Sequence, residues 1–318
     1  MPITNPKSWY QFTLQHIAAE SFFENVDLNS ALQIEAILQN GNNDVRNLSV
    51  AGLVAQGKPP GFLRLTQRQA REFTSRYTVV HQTPNDASGF SATLLFDREA
   101  QQYTLAFRSL EYRDGVKGGD YDRDANGAAF EINNYGFALG QVASMEKYWT
   151  SLAGLATGGE SAELLAFKQY MAGAGAQVNL TGYSLGAHLA SVFTKIHPEL
   201  VREAVVFNAA GIGPVPALGT DIAAMVSAWQ AKLAAAGLNN LPTSENLYTR
   251  AGYQQALGEI VAQYSLQGAG TSPGSVDAEL AGKVVHVFGH ATHDDSEHVA
   301  NSGRHGLSYP VFIEDQPD

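Results

Sequence analysis

Residues 177–188 read Gln-Val-Asn-Leu-Thr-Gly-Tyr-Ser-Leu-Gly-Ala-His, and these residues are the most informative part of the chain about its fold. It contains a G-x-S-x-G motif at Gly182–Gly186, preceded by apolar and β-branched residues and followed by apolar residues at helical spacing. Between a strand and a helix, such a motif forms a sharp turn that exposes its serine. We therefore predict Ser184 as a nucleophile, with the Leu185 amide at a helix N-terminus facing an oxyanion. The alternative is an ordinary turn with a helix-capping serine, which would not need both glycines.

Composition indicates a globular α/β protein. The chain has 318 residues, of which 44% are hydrophobic and 16% charged, enough for a large buried core. Acidic residues outnumber basic ones 31 to 20, which argues against nucleic acid and anionic membranes as partners. The absence of cysteine excludes disulfides, thiol chemistry and cysteine-ligated metal clusters. The sequence contains no apolar run of about 18 residues, so no transmembrane helix is predicted. The first ten residues show no signal-peptide pattern.

The part of the chain before the motif changes from helical to strand periodicity. Apolar residues recur at helical spacing from Tyr10 and again from Ala31, and Thr66 is placed to cap a helix through Arg76. Three strands with short links follow, which favours antiparallel pairing; they are predicted at Tyr77–His81, Phe90–Phe96 and Gln102–Phe107. We then expect a Gly- and Asp-rich loop over Glu111–Gly127 and a single helix whose apolar face runs from Phe130 to Trp149.

Strands and helices continue to alternate after the motif. A strand at Val205–Phe207 precedes a helical insertion at about residues 212–282, with one helix led by Asp221 and another over Tyr253–Tyr264. Strand patterns return at 284–288 and 309–313. This order predicts a mostly parallel central sheet with helices on both faces, in one domain spanning residues 1–318. The insertion is interpreted as a lid or as a cap that does not move, and the loop at 111–129 competes for the lid role.

A serine nucleophile needs a histidine base, which follows the serine in the chain order Ser, Asp or Glu, His. His16 and His81 precede Ser184, and His188 lies too close along the following helix, where we expect it to pack in the core. His305, in a loop before the last apolar strand, is the favoured base, and His298 is the alternative.

The carboxylate that orients the base should follow the strand at 284–288. Asp295, Asp294 and Glu297 all qualify, and we favour them in that order. The second oxyanion donor should come from the turn after an early strand, and we expect it to be the Leu110 amide.

These motifs resemble the fungal-type (class 3) lipase family of α/β-hydrolases. Phe107-Arg108-Ser109-Leu110 is similar to the family's F-R-G-[TS] strand end, and Gly182–Gly186 to its G-[HY]-S-L-G elbow. Two departures are that Ser109 replaces a glycine and Leu110 replaces a hydroxyl residue. The stretches 90–94, 207–213 and 312–317 resemble a bacterial branch often joined to repeats-in-toxin modules, although the glycine-rich calcium nonapeptides are absent from this sequence.

The resemblance implies an α/β-hydrolase fold and a secreted lipase or esterase that cleaves acyl esters of lipids, with contact to a lipid interface. Such chemistry requires no cofactor. A phospholipase A1 with the same triad is an alternative, and a cytoplasmic location and the oligomeric state stay open.

An acidic segment could bind a structural calcium ion. Asp120, Asp122 and Asp124 precede Glu131, which stands eleven positions after the first aspartate, as in an EF-hand loop. Ala125 occupies the place of the turn glycine, so the competing interpretation is an acidic surface loop. Two other functions are weighed: a metal-dependent hydrolase using the His290–His298 cluster, and a non-catalytic, calcium-ordered module.

Overall fold

The computed structural model describes residues 6–41, 64–110, 121–213, 221–268 and 284–287. Within them lies a six-stranded mixed sheet whose strands follow one another in chain order. The strands are β1 (Tyr77–Thr83), β2 (Ala92–Asp97), β3 (Gln102–Phe107), β4 (Val178–Tyr183), β5 (Val201–Phe207) and β6 (Val284–Val287). Strands β1 to β3 pair antiparallel, and β3 to β6 pair parallel. The predictions of an antiparallel start and a mostly parallel α/β sheet are confirmed.

Helices precede the sheet and connect its strands. They are α1 (Pro6–Ala19), α2 (Ala31–Asn40), α3 (Gln67–Arg76), α4 (Ala129–Tyr135), α5 (Leu139–Ala153), α6 (Ala162–Met171), α7 (Leu185–Ile196), α8 (Ile222–Ala235) and α9 (Tyr253–Tyr264). A 3-10 turn at Leu247–Thr249 lies between α8 and α9. Among the residues described, no helix is long and apolar enough to cross a membrane.

The alternation of side chains along the strands creates two cores. Leu94 and Leu105 pack into a cluster with residues of α5, α7, α8 and α9, whereas their neighbours Leu95 and Ala106 pack with α1, α2 and α3. Successive residues of a strand point to opposite faces, so helices cover both faces of the sheet.

Local capping explains where two predicted helices begin. Thr66 forms a capping box with Gln69 at the start of α3, and the Asp221 side chain accepts the Ala224 amide at the start of α8. These bonds satisfy amides that have no partner inside the helix. Both predicted N-caps are confirmed.

The prediction of one helix from Phe130 to Trp149 is wrong. Gly136, with φ of 82°, ends α4, and α5 starts three residues later. A Cβ at Gly136 would come 2.4 Å from the Cα of Gly213, and the two glycines share a main-chain hydrogen bond of 2.8 Å. The break therefore allows the chain after β5 to approach closely. Phe130, which is predicted on the apolar face, is 45% exposed.

The predicted loop also ends earlier than Gly127. Helical structure starts at Tyr121 and passes through a π-helical turn over Asp124–Ala128. Asp124 is buried and accepts a hydrogen bond of 2.7 Å from Gln141. Aspartate and glycine favour turns in isolation, but this buried contact offsets that preference.

Candidate active site

Ser184 lies on a strained turn between β4 and α7. Its φ and ψ are 49° and −109°, a conformation that costs a non-glycine residue about 1–3 kcal/mol. Its amide donates to the Phe207 carbonyl at 3.0 Å, and its carbonyl accepts the His188 amide at 3.0 Å. Although Ser184 occupies the N-cap position, its side chain makes no capping hydrogen bond. The interpretation of Ser184 as a capping serine is therefore wrong.

Two glycines allow this turn to close. A Cβ at Gly182 would lie 2.5 Å from the Gly186 carbonyl carbon, and a Cβ at Gly186 would lie 2.3 Å from the Phe107 carbonyl oxygen. Both contacts are with main chain, which cannot rotate away as a flexible side chain can. The motif thus requires glycine at both positions, as its sequence context predicts.

The strand register brings the two predicted oxyanion segments to one edge of the sheet. Phe107 pairs with Gly182 across β3 and β4, so Leu110 and the elbow follow neighbouring strand ends. The side chains of Leu110 and Leu185 belong to one apolar cluster with Ala128, Ile132 and Ala138. Leu185 begins α7, so its amide is one of the helix N-terminal amides without an intrahelical partner.

The turn after β3 is fastened to the end of α1. The Arg108 guanidinium donates to the carbonyls of Ala19 and Ser21 at 3.3 and 2.9 Å, and to Asn85 Oδ1 at 3.1 Å. It also stacks on the Phe22 ring at 4.6 Å. Sequence reasoning assigned no role to residues 19–22, because nothing along the chain links them to position 108.

His188 has a structural role in the core, as predicted. It is fully buried; its Nδ1 lies 2.5 Å from the Gly211 carbonyl oxygen, and its Nε2 accepts the Ala138 amide. A carbonyl can only accept, so Nδ1 carries the proton. Burial lowers the pKa of His188 to about 4, which keeps the ring neutral. The histidine thereby ties the segments before α5 and after β5 to α7.

His16 lies on the opposite face of the sheet beneath the elbow. Its ring is fully buried and packs 4.6 Å from the Phe207 ring and 6.4 Å from the Tyr183 ring. Within the described part of the chain, neither ring nitrogen has a hydrogen-bond partner. Burial lowers the pKa of His16 to about 3. The other early histidine, His81, lies on β1 with its Nδ1 2.9 Å from the Tyr148 hydroxyl.

The predicted partners of Ser184 fall outside the described residues. This applies to the favoured base and acids, to the alternative base and acid, and to the metal-hydrolase cluster: His305, Asp295, Asp294, His298, Glu297 and His290–His298. The base and acid assignments therefore stay predictions.

The acidic residues proposed for calcium have different surroundings in the structure. Asp120 is outside the described residues, and Asp122 is exposed and accepts a hydrogen bond from Asn126. Asp124 and Glu131 are buried, the former bonded to Gln141 and the latter to Tyr253 and Gly140. Across the described ranges, no three histidine or acidic residues are grouped to hold a metal ion. Calcium binding stays a prediction.

A buried carboxyl attaches the helices of the predicted insertion to the rest of the molecule. Glu131 Oε1 accepts the Tyr253 hydroxyl at 2.5 Å, and Oε2 accepts the Gly140 amide at the start of α5. Burial raises the pKa of Glu131 to about 8, although these hydrogen bonds oppose the shift. Nearby, the Trp229 indole donates to the Leu139 carbonyl at 2.9 Å. Sequence reasoning predicted the two helices but not this attachment.

A cavity of about 370 Å³ lies between α5 and the predicted insertion. Its walls include Ala143 and Lys147 of α5, Leu233 of α8 and Leu247 of the 3-10 turn. Its described lining contains neither Ser184 nor the two predicted oxyanion residues. We therefore assign it no part in the candidate active site.

The chain matches no known protein-family model, and a search of curated proteins finds no significant similarity.

Proposed function

We propose that the chain is a serine carboxylic-ester hydrolase of the α/β-hydrolase type, acting on acyl esters of lipids. The observation that carries the proposal is the conformation of Ser184, a non-glycine residue at φ 49° between a parallel strand and a helix. Strain of this kind persists where the surroundings impose it, and it is common where function requires it. The bonds to Phe207 and His188 and the crowding at Gly182 and Gly186 are those surroundings.

The chemistry follows from the position of the serine. The proposed base, His305, takes the Ser184 hydroxyl proton as Oγ attacks the ester carbonyl, and the carbonyl oxygen becomes an oxyanion. The Leu185 and Leu110 amides would donate to that oxyanion. The protonated histidine then gives its proton to the departing alcohol, which leaves an acyl-enzyme. Water, deprotonated by the same histidine, releases the acid and restores Ser184. Asp295 or Asp294 is the proposed residue that orients the histidine.

The surroundings of the proposed oxyanion donors are apolar, which supports an apolar substrate. Leu185 and Leu110, whose amides would bind the oxyanion, place their side chains in a cluster with Ile132. Phe130 of α4 is 45% exposed. Apolar contacts beside the reacting carbonyl favour an acyl chain over a charged substituent.

The nucleophile is tested by replacing Ser184 with alanine. We expect Ser184→Ala to lower the hydrolysis of p-nitrophenyl acyl esters by about 10³-fold or more. A fluorophosphonate probe should label the wild-type chain on Ser184 Oγ with loss of fluoride, and it should not label the variant. Mass spectrometry of the labelled peptide identifies the site.

The matched control is Ser227→Ala, which replaces an exposed serine on α8 whose hydroxyl donates to the Ala223 carbonyl within its own helix. We expect this variant to keep wild-type turnover and labelling. Full ester hydrolysis by Ser184→Ala would overturn the serine mechanism. Turnover that stops on chelation, while Ser184→Ala remains active, would favour metal-dependent hydrolysis instead.

A further inference from the structure

The turn that would carry the second oxyanion donor is held by a buried acidic side chain. Glu20 immediately follows α1 and is fully buried, and its Oε1 accepts the Ser109 amide at 2.8 Å. Ser109 itself is 4% exposed. A hydrogen bond from a main-chain amide to a carboxyl group is stronger than one to a neutral acceptor when the group is ionised. Glu20 therefore fixes the orientation of the peptide group that joins Arg108 to Ser109.

Helix α1 by itself does not favour a buried glutamate at position 20. Its amide donates to the His16 carbonyl at 3.1 Å, which places the residue directly at the C-terminal end of that helix. An acidic group at a helix C-terminus is unfavourable for the helix, and burial adds a desolvation cost. The contact with Ser109 compensates for part of this cost, and it links residues 89 positions apart.

The bond also determines which amide remains for a substrate. Because the Ser109 N–H is directed at Glu20, it does not point at an ester oxygen. The Arg108 amide donates to the Ser91 carbonyl at 3.1 Å. The next amide in the turn is that of Leu110, whose side chain packs in the cluster that contains Leu185.

We propose that Glu20 is a positioning residue for the oxyanion hole: by holding the Ser109 amide, it sets the direction of the adjacent Leu110 amide. This inference rests on the proposed esterase function. The Arg108 contacts with the carbonyls of Ala19 and Ser21 hold the same turn from either side of Glu20. The residues at the end of α1 thus hold the turn after β3 in place.

The test compares acyl-ester kinetics of Glu20→Ala and Glu20→Gln. Misdirection of one donor costs about 100-fold in kcat, and we expect a loss of this order in Glu20→Ala with KM nearly unchanged. Glutamine keeps an acceptor oxygen at the same reach, so Glu20→Gln should retain kcat within about fivefold of wild type. A loss of kcat in Glu20→Gln as large as that in Glu20→Ala would contradict the role of this acceptor oxygen.

The matched control is Glu72→Ala. Glu72, on α3, accepts the Tyr10 hydroxyl at 2.9 Å and so attaches the same helix α1 far from the turn. We expect Glu72→Ala to lower the melting temperature with kcat at the wild-type level. Equal losses of kcat in Glu20→Ala and Glu72→Ala would show that Glu20 acts only by holding α1, and would overturn the proposal.

Glu20→Asp keeps the proposal testable if the alanine variant does not fold. Its carboxyl is one methylene shorter and cannot reach the Ser109 amide at the same distance, so we expect a loss in kcat of about tenfold. Wild-type kcat in this variant would overturn the positioning role while leaving the esterase proposal intact. If the wild-type chain neither hydrolyses esters nor labels at Ser184, both proposals fail.

Discussion

Two buried glutamates hold two different parts of this molecule. Glu20, 0% exposed, binds a main-chain amide of the turn beside the elbow, whereas Glu131, 1% exposed, binds the hydroxyl of Tyr253 on α9. The first contact joins α1 to the end of β3, and the second joins α4 and α5 to the helices between β5 and β6. One glutamate thus holds a turn at the candidate active site, and the other holds helices together.

Because the two contacts differ, substitutions of the two glutamates should affect different measured properties. Removing the Glu20 side chain should change the direction of a main-chain amide next to the elbow, so the substitution should lower kcat. The Tyr253 hydroxyl belongs to a distant helix, so the loss of Glu131 should appear in the free energy of unfolding and in its pH dependence. Substitutions on the α1 side and on the α8–α9 side are therefore expected to differ in their effects.

The largest expected effect on the free energy of unfolding is the pH dependence caused by Glu131. Its pKa is raised from 4.5 to about 8 by burial, so between these values the folded chain holds a proton that the unfolded chain lacks. Stability therefore falls as pH rises through this window and levels off above pH 8. Between pH 5 and 8 we expect Glu131 to account for a loss of about 3–4 kcal/mol, which urea unfolding of Glu131→Gln should not show.

Glu259→Gln is the control for this measurement. Glu259 lies on α9, and the hydrogen bond from Lys232 lowers the pKa of its carboxyl, so it is ionised in both folded and unfolded chains above pH 5. We expect this variant to keep the wild-type slope. A wild-type slope in Glu131→Gln would show that the carboxyl is ionised in the folded chain at neutral pH.

A smaller effect is expected on the α1 side, at the acid end of the pH range. Burial lowers the pKa of His16 from 6.5 to about 3, so in this window the unfolded chain binds a proton that the folded chain does not. Stability falls as pH falls below 6.5, and His16 should account for about 2 kcal/mol between pH 6.5 and 5. Leucine has nearly the volume of histidine, and His16→Leu should remove this loss in urea unfolding.

His188→Leu provides the contrast within the core. His16 has no hydrogen-bond partner among the described residues, so His16→Leu should also raise stability at pH 7 by about 1–3 kcal/mol. The same change at His188 leaves the Ala138 amide and the Gly211 carbonyl unpaired and should lower stability by a similar amount. Equal effects of the two substitutions would contradict the assignment of different environments.

The parts of the fold that were predictable depend on local pattern. The elbow at Ser184 follows from two glycines, a preceding strand and a following helix, all within about 20 residues. The caps at Thr66 and Asp221 follow from one side chain and an amide three positions on. In each case, the residues that form the element lie within one short segment, although the elbow is also held by a hydrogen bond to the Phe207 carbonyl.

The parts that were missed depend on contacts between distant segments. The hydrogen bonds between Glu20 and the Ser109 amide and between Glu131 and the Tyr253 hydroxyl join residues 89 and 122 positions apart. Helix α6 was not predicted because its sequence lacks clear amphipathic spacing; Lys168 within it is buried and donates to the Ser151 carbonyl at 2.7 Å. Such contacts offset local preferences, and no spacing in the sequence indicates them.

The smallest expected effects on stability concern two glycines: Gly127, beside Tyr248, and Gly258 on α9. A Cβ at Gly127 would come 2.4 Å from the Tyr248 ring, whereas a Cβ at Gly258 on α9 would meet nothing within 4 Å. Gly127→Ala should lower the free energy of unfolding by about 1–3 kcal/mol because the half-buried Tyr248 ring must move. Gly258→Ala should raise it by about 0.5–1 kcal/mol because alanine favours the helix. An added Cβ at Gly127 would crowd Tyr248, and one at Gly258 would crowd nothing, so both variants should keep wild-type kcat on acyl esters. A loss of kcat in Gly127→Ala would mean that the α8–α9 side also sets the geometry around Ser184.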